Sequence, residues 1–248
     1  MSEDNKSTVR AVERALDILL CFTMKNEWAM TEIAEKVGLH KSTVHRMLAT
    51  LEDKGFVLRD SASDRYRLGL RVWELSANMW GADDPAVISL QEMEQLRDQL
   101  GETISLYIRD GNERIRIQAV QSNQAVRRVA PIGARLPLYV GASSKILIAF
   151  EEQEQREELL GDHTWPASID KGQFREQMEE IGRLGFATSI EEREQGAAAV
   201  SAPIFNRAGR LIAALSVSGP ANRLTLDKMR EQAPAIMEAA RHIGTMLK

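Results

Sequence analysis

TEIAEKVGLHKSTVHRMLATLEDKGFVLRDSASDRYRL, residues 31–68, is the stretch whose reading decides the fold. Thr31 is placed to cap a short helix, with Ile33, Ala34 and Val37 as its apolar stripe. Gly38 permits a tight turn into a second helix over 41–53. There Val44, Met47, Leu48 and Leu51 recur at helical spacing and face a core. Ser42, His45, Arg46 and Ala49 therefore point outward. An outward face of donors, one cation and one small residue suits a DNA major groove.

The second half of the stretch is a basic hairpin. Runs 56–59 and 65–68 are β-prone, and Asp60-Ser61-Ala62-Ser63-Asp64 between them is rich in turn formers. Arg59, Arg65 and Arg67 flank the loop. Helix, turn, helix and basic hairpin together read as a winged helix-turn-helix. Residues 36–67 hold seven Lys/Arg against four Asp/Glu, a local surplus of three, which phosphate neutralisation requires. The plain alternative is a helical hairpin with solvated charges.

The 248 residues suggest two domains. A hydrophobic fraction of 44% supports packed cores, and no run nears the roughly 20 apolar residues of a membrane span. The polar N-terminus MSEDNKSTVR does not read as a signal peptide. One cysteine, Cys21, excludes an internal disulfide and any multi-cysteine metal site. It lies in the helical run Val12, Ala15, Leu16, Leu19, Leu20 and is expected to be a buried thiol. A cytoplasmic protein fits these features. The net charge of −4 argues against nucleic acid at first sight. Residues 1–81, however, balance twelve Lys/Arg with twelve Asp/Glu, so the remainder carries the whole deficit. A near-neutral head with a basic face binds DNA if two copies act together.

Coarse periodicity predicts helices at 9–22, 70–79, 85–100, 144–150, 152–160, 171–184 and 225–247. On 70–79, Val72, Leu75 and Met79 share one side. Strands are expected at 103–109, 113–121, 126–132, 186–190, 200–205 and 211–218, with Asp110-Gly111-Asn112 and Asn206-Arg207-Ala208-Gly209 as hairpin turns. This order implies α+β, an antiparallel sheet flanked by helices. The expected domains are a winged head over 1–69, a linker helix over 70–84 and a second domain over 85–248.

Several phrases carry a resemblance. They are VERALDILLCF (12–22), EIAEKVGLHKSTVHRMLATLEDKGFV (32–57), YRLG (66–69), APIGARLPLY (130–139), SKILIAF (144–150), GFATSIEEREQG (185–196), SAPIFNRAGRLIAALSVSGP (201–220) and the Asn-Arg-Leu that follows. In these the chain resembles the IclR family of bacterial transcription regulators along essentially its whole length. The resemblance implies a winged helix-turn-helix DNA-binding domain, a linker helix and a GAF-like effector-binding domain. It also implies homodimers, often dimers of dimers, that regulate genes of carbon-source catabolism and more often repress than activate. The linker helix would relay effector binding to the DNA heads. Lys41, Ser42, Thr43, His45, Arg46, Arg65 and Arg67 are the candidate DNA contacts. Ser42, His45 and Arg46 would read bases, Thr43 would meet phosphate, and Arg65 and Arg67 would meet phosphate or minor groove.

The resemblance also places an effector cup. One wall would be the backbone N–H groups of Ala142 and Ser143 at a helix start, a natural anion site. Ser216 and Ser218, alternating onto one strand face, would form the other wall. Leu136 and Ala197 match apolar lining positions. Ser189 stands where the family pattern carries an acid, and Ala199 where a cysteine is sometimes found. These departures suggest a cup of lower charge that takes an acid other than the short 2-oxo acids. One of Arg127 and Arg128 must face inward on a strand, and in the family register Arg128 would clamp a carboxylate. The alternative is a pair of surface charges. Lys145 reads as structural, Glu191-Glu192 as a polar turn at the pocket edge, and His163 and His242 as solvent-facing.

No cofactor or metal is implied. An enzyme is the rival class, with Ser143, Ser144 and Lys145 as nominal nucleophiles and base. No nucleophile elbow, phosphate loop or metal cluster supports it. The second rival is a DNA-binding protein whose C-terminal domain only dimerises.

Overall fold

The computed structural model describes residues 8–79, 81–127 and 131–248, and the chain divides into two compact units, 1–81 and 82–248. In the first unit, α1 (Arg10–Cys21) is followed by β1 (Trp28–Ala29), α2 (Met30–Lys36) and α3 (Lys41–Asp53). Then come β2 (Val57–Arg59), β3 (Arg65–Leu68) and α4 (Leu70–Ser76). The three strands pair antiparallel in the order β1-β3-β2. Ile18, Cys21 and Phe22 of the first helical segment pack with Ile33, Val44, Leu48, Val57 and Tyr66. Burial pushes the Cys21 thiol up from its usual range.

Local chemistry explains these elements. α2 starts one residue before the expected cap. Thr31 lies inside the helix, and the capping carboxylate is that of Glu32, which accepts the Ala29 N–H at 2.7 Å. Glu32 also takes Lys25 Nζ at 2.7 Å and Arg65 Nη1 at 3.2 Å, and the Lys25 hydrogen bond above all holds its carboxyl down to about 2. Gly38 turns the chain between α2 and α3 at φ +65°, a conformation costly for other residues. His40 caps α3 through Nδ1, which accepts from the Ser42 N–H at 3.4 Å.

Cys21 is buried as expected and with Ile18 supplies the core face of α1, while Val12, Leu16 and Leu20 are exposed. One expectation for this unit needs correcting. The helix expected over 70–79 ends at Ser76, and its Leu75 and the following Met79 are exposed in the chain.

The second unit contains α5 (Pro85–Ile88), α6 (Leu90–Leu100), β4 (Thr103–Asp110), β5 (Glu113–Val120), β6 (Arg135–Pro137) and α7 (Ala142–Ala149). After these run α8 (Gln153–Gly161), α9 (Lys171–Leu184), β7 (Ala187–Ile190), β8 (Ala197–Phe205), β9 (Leu211–Pro220) and α10 (Leu226–Met246). The six strands form one antiparallel sheet in the order β6-β5-β4-β9-β8-β7. One face carries a core with Met93 and Leu96 of α6 and Met229, Ile236 and Ile243 of α10. The other face lies under α7, α8 and α9, through Ile146, Leu147, Leu159, Phe174 and Met178. The architecture is α+β.

The helix expected over 85–100 is two, divided at the buried Ser89, whose hydroxyl meets Met93 Sδ at 3.3 Å. The strand expected over 126–132 is absent from its described residues, 126–127 and 131–132, and the sheet edge is instead β6. A bulge in the β4–β5 ladder sets which side chains of β5 face α7. Leu106 pairs with Gln118 but Tyr107 pairs with Arg116, so Ile117 is the extra residue. Beyond it Val120 joins the α6/α10 core, whereas Arg114 and Arg116 turn toward the α7 side.

Candidate functional site

On the first unit, α3 presents Lys41, Ser42, His45, Arg46, Ala49 and Thr50 to solvent, with Thr43 half-buried. The buried Val44 and Leu48 fix that orientation. Ser42 is partly committed, since its hydroxyl lies 2.9 Å from His40 Nδ1. The wing divides its arginines. Arg59 Nε donates to Asp64 at 2.5 Å, and Arg65 is tied to Glu32 on α2. Lys41, Arg46 and Arg67 are exposed and form no ion pair with any described residue. On α3 and the wing these three are the described cations free to meet an anionic partner.

The second unit holds a small cavity of about 60 Å³ beneath the start of α7. Ala142, Ser143, Ser189, Ala197, Ala199, Ser216 and Ser218 line it. Ladder register explains the gathering, because Ser189 pairs with Ala199, and Ala199 pairs with Ser218. Leu136 is not brought there: it is half-buried and packs into the apolar cluster beside α7. Arg128 lies outside the described residues, and Arg127 is exposed, bonded to the Gln124 carbonyl at 3.2 Å.

The cavity also contains groups that the sequence reading missed. Arg114 and Arg116 line it and are each only 4% exposed. Arg114 Nη1 donates to the Pro137 and Val140 carbonyls at 2.5 and 2.8 Å and to the Ser144 hydroxyl. Arg116 Nη2 donates to the Tyr107 hydroxyl, and both guanidinium groups sit over the Tyr107 ring, 5.5 and 5.0 Å from its centroid. Desolvation, followed by the neighbouring Arg193 and Arg116 charges, brings Arg114 down to about 10, so it remains a cation at neutral pH. The expectation of a cup of lower charge does not hold: Arg114, Arg116 and Arg193 line the cavity together with Glu192 and Glu194.

Acidic groups in the cup are already engaged. Glu192 takes Lys145 Nζ at 2.5 Å and the Gly141 N–H at 3.0 Å. Glu194 lies 3.7 Å from Arg193. No described carboxylate lies within ion-pair distance of Arg114 or Arg116. A buried charge without a counter-ion costs several kcal/mol, and an anion placed beside these guanidinium groups would offset that cost. Among the described residues no cluster of His, Cys, Asp and Glu is placed to hold a metal. No described helix is long and apolar enough to cross a membrane.

The family model of the bacterial transcriptional regulator IclR C-terminal domain matches residues 86–245, and that of the IclR helix-turn-helix domain matches residues 11–61. The chain belongs to the IclR family. It is 32% identical over 250 residues to the HTH-type transcriptional regulator KipR of Bacillus subtilis, covering 98% of each chain. It is 30% identical over 244 residues to the HTH-type transcriptional repressor AllR of Escherichia coli, covering 96% of this chain and 90% of that one. Among solved structures, an IclR homologue from Microbacterium hydrocarbonoxydans complexed with 4-hydroxybenzoate superposes with a TM-score of 0.77. The two share 26% identity over 94% of this chain and 99% of that one. An IclR-family protein of this kind is a DNA-binding transcription regulator rather than an enzyme.

Proposed function

We propose that this IclR-family protein is a cytoplasmic repressor of catabolic genes whose grip on its operator is set by a small organic acid bound in the second unit. The observation that carries this reading is the cup. Two buried guanidinium groups and the hydroxyls of Ser143, Ser189, Ser216 and Ser218 surround a cavity at the start of α7. Such donors suit a carboxylate, and the helix N-terminus adds favourable potential. The name of AllR favours repression, and the 4-hydroxybenzoate complex favours an organic acid.

DNA is read by the outward face of α3, with Arg46 and His45 against base edges, Lys41 and Thr43 near phosphate, and the Arg67 side of the wing on the backbone. Ser42 contributes through its hydroxyl once it turns from His40. Arg65 acts mainly by holding the wing to α2. The working unit is a homodimer, or a pair of them, because a near-neutral head needs a second copy for useful affinity. Exposed apolar residues support this, with Val12, Leu16 and Leu20 in one stripe of α1 and Leu70 and Trp73 on α4. Residues 70–84 act as the connector between a head at 1–69 and an effector domain at 85–248.

The test is fluorescence anisotropy of the purified chain with DNA from its own promoter, at low ionic strength, with and without a panel of carboxylic acids. Sequence-preferring binding that shifts at least threefold with one acid is expected. Equal binding to promoter and unrelated DNA, whatever acid is added, refutes the proposal.

A further inference from the structure

Arg114 and Arg116 put two like charges side by side in the cup, and no described acid lies within ion-pair distance of either, the nearby Glu192 and Glu194 being engaged by Lys145 and Arg193. They lie two residues apart on β5 and share a face, so their Cα atoms are about 7 Å apart. Of the three guanidinium nitrogens of Arg116, only Nη2 has an acceptor; Nε and Nη1 find none, and neither does Arg114 Nε. The hydroxyls of Ser105 and Ser201, buried on neighbouring strands, also lack partners. Other charges around the cavity cancel in pairs, Lys145 with Glu192 and Arg193 with Glu194. Among the described residues, Arg114 and Arg116 are then the cavity cations without an ion-pair partner, and they are its most deeply buried ones.

We propose that the cup is built for a dianion, a dicarboxylate of two to four carbons, whose two negative charges answer Arg114 and Arg116. This deepens the reading of the cup as an organic-acid site and rests on it. A single carboxylate leaves one buried guanidinium without a counter-charge, whereas a dicarboxylate neutralises both. Size agrees. The cavity of about 60 Å³ compares with roughly 10–15 Å³ for one water on the same measure, so it admits about four to six waters' worth of ligand. That sets the scale of a small organic acid, a short diacid among them.

Isothermal titration of the full chain against matched pairs tests this: malonate with propionate, succinate with butyrate, and separately inorganic phosphate and 4-hydroxybenzoate. The dicarboxylate of each pair is expected to bind at least about tenfold tighter than its monocarboxylate. Arg116→Gln is expected to reduce that ratio to within about threefold. Matched pairs that bind equally overturn the inference, as does tighter binding of phosphate or 4-hydroxybenzoate than of any dicarboxylate. Silence toward every anion overturns the organic-acid reading as well, whereas propionate matching malonate overturns only the dianion. Should Arg116→Gln fail to fold, the pairs on the unmodified chain carry the decision alone.

Discussion

Substituting Arg67 and Arg46 separately by alanine should produce two different failures on DNA. Arg67 is exposed on β3 and has no ion-pair partner among the described residues, so removing it breaks no ion pair within the head. If it neutralises one phosphate in each of two heads, its loss lowers the slope of log affinity against log salt by about 0.9 per head, or roughly 1.8 for a dimer. Between 50 and 200 mM salt, the gap between the unmodified protein and Arg67→Ala should then close by about tenfold. All DNA sequences should weaken alike. Arg46 stands on the outward face of α3, where a lost base contact costs roughly 1–3 kcal/mol and relaxes one operator position. Anisotropy titrations across that salt range, on operator variants and unrelated DNA, separate the two. Arg65→Ala is the control: it breaks the pair with Glu32, so it should loosen the head more than it changes the salt slope. The groove assignment is wrong if Arg46→Ala leaves affinity and preference intact, and the wing assignment is wrong if Arg67→Ala keeps the full slope.

Packing and protonation give two more expected outcomes. A Cβ on Gly219 would fall 2.5 Å from a carboxylate oxygen of Glu102, which is 3% exposed and held by Arg223, so Gly219→Ala should cost about 1–3 kcal/mol in chemical denaturation; an unchanged midpoint contradicts it. Glu32, with its carboxyl held down to about 2, adds stability that is complete above the ordinary carboxylate range near 4.5 and disappears as pH falls from there toward 2. The stability difference between the unmodified chain and Glu32→Gln should therefore be constant above about pH 5 and shrink below it; a difference independent of pH refutes the linkage.

The head was legible because its signals are local. Val44 and Leu48 at helical spacing set which face of α3 is outward, and Gly38 marks the turn, all within one short stretch. Its misreadings came from competition between residues of similar kind. Thr31 looked like the cap, but Glu32 reaches the same backbone donor and gains Lys25 and Arg65 as partners. On α1, apolar residues cover more than one side, and nothing in their spacing says that Ile18 and Cys21 rather than Leu16 and Leu20 face the chain's own core.

The cup exposes a limit of reading a strand from its own alternation. In β5 the residues Arg114, Ile115, Arg116 and Ile117 alternate cleanly, and the usual assignment sends isoleucine inward and arginine to water. The structure does the reverse: both arginines are buried and the isoleucines are half-exposed. Two long-range facts cause it. The bulge after Arg116 lets Val120 reach the α6/α10 core while the two arginines face the other way. On that face, carbonyls of 137 and 140, the Ser144 hydroxyl and the Tyr107 hydroxyl wait to receive them. A basic residue whose partners lie some 25 residues on leaves no mark in its own neighbourhood. Family resemblance named the serines and the α7 N-terminus that line this cavity, and its candidate clamp, Arg128, lies outside the described residues. The two buried arginines of this cavity are thus residues for which neither local pattern nor resemblance had a signal, and only the folded sheet brings them beside the serines.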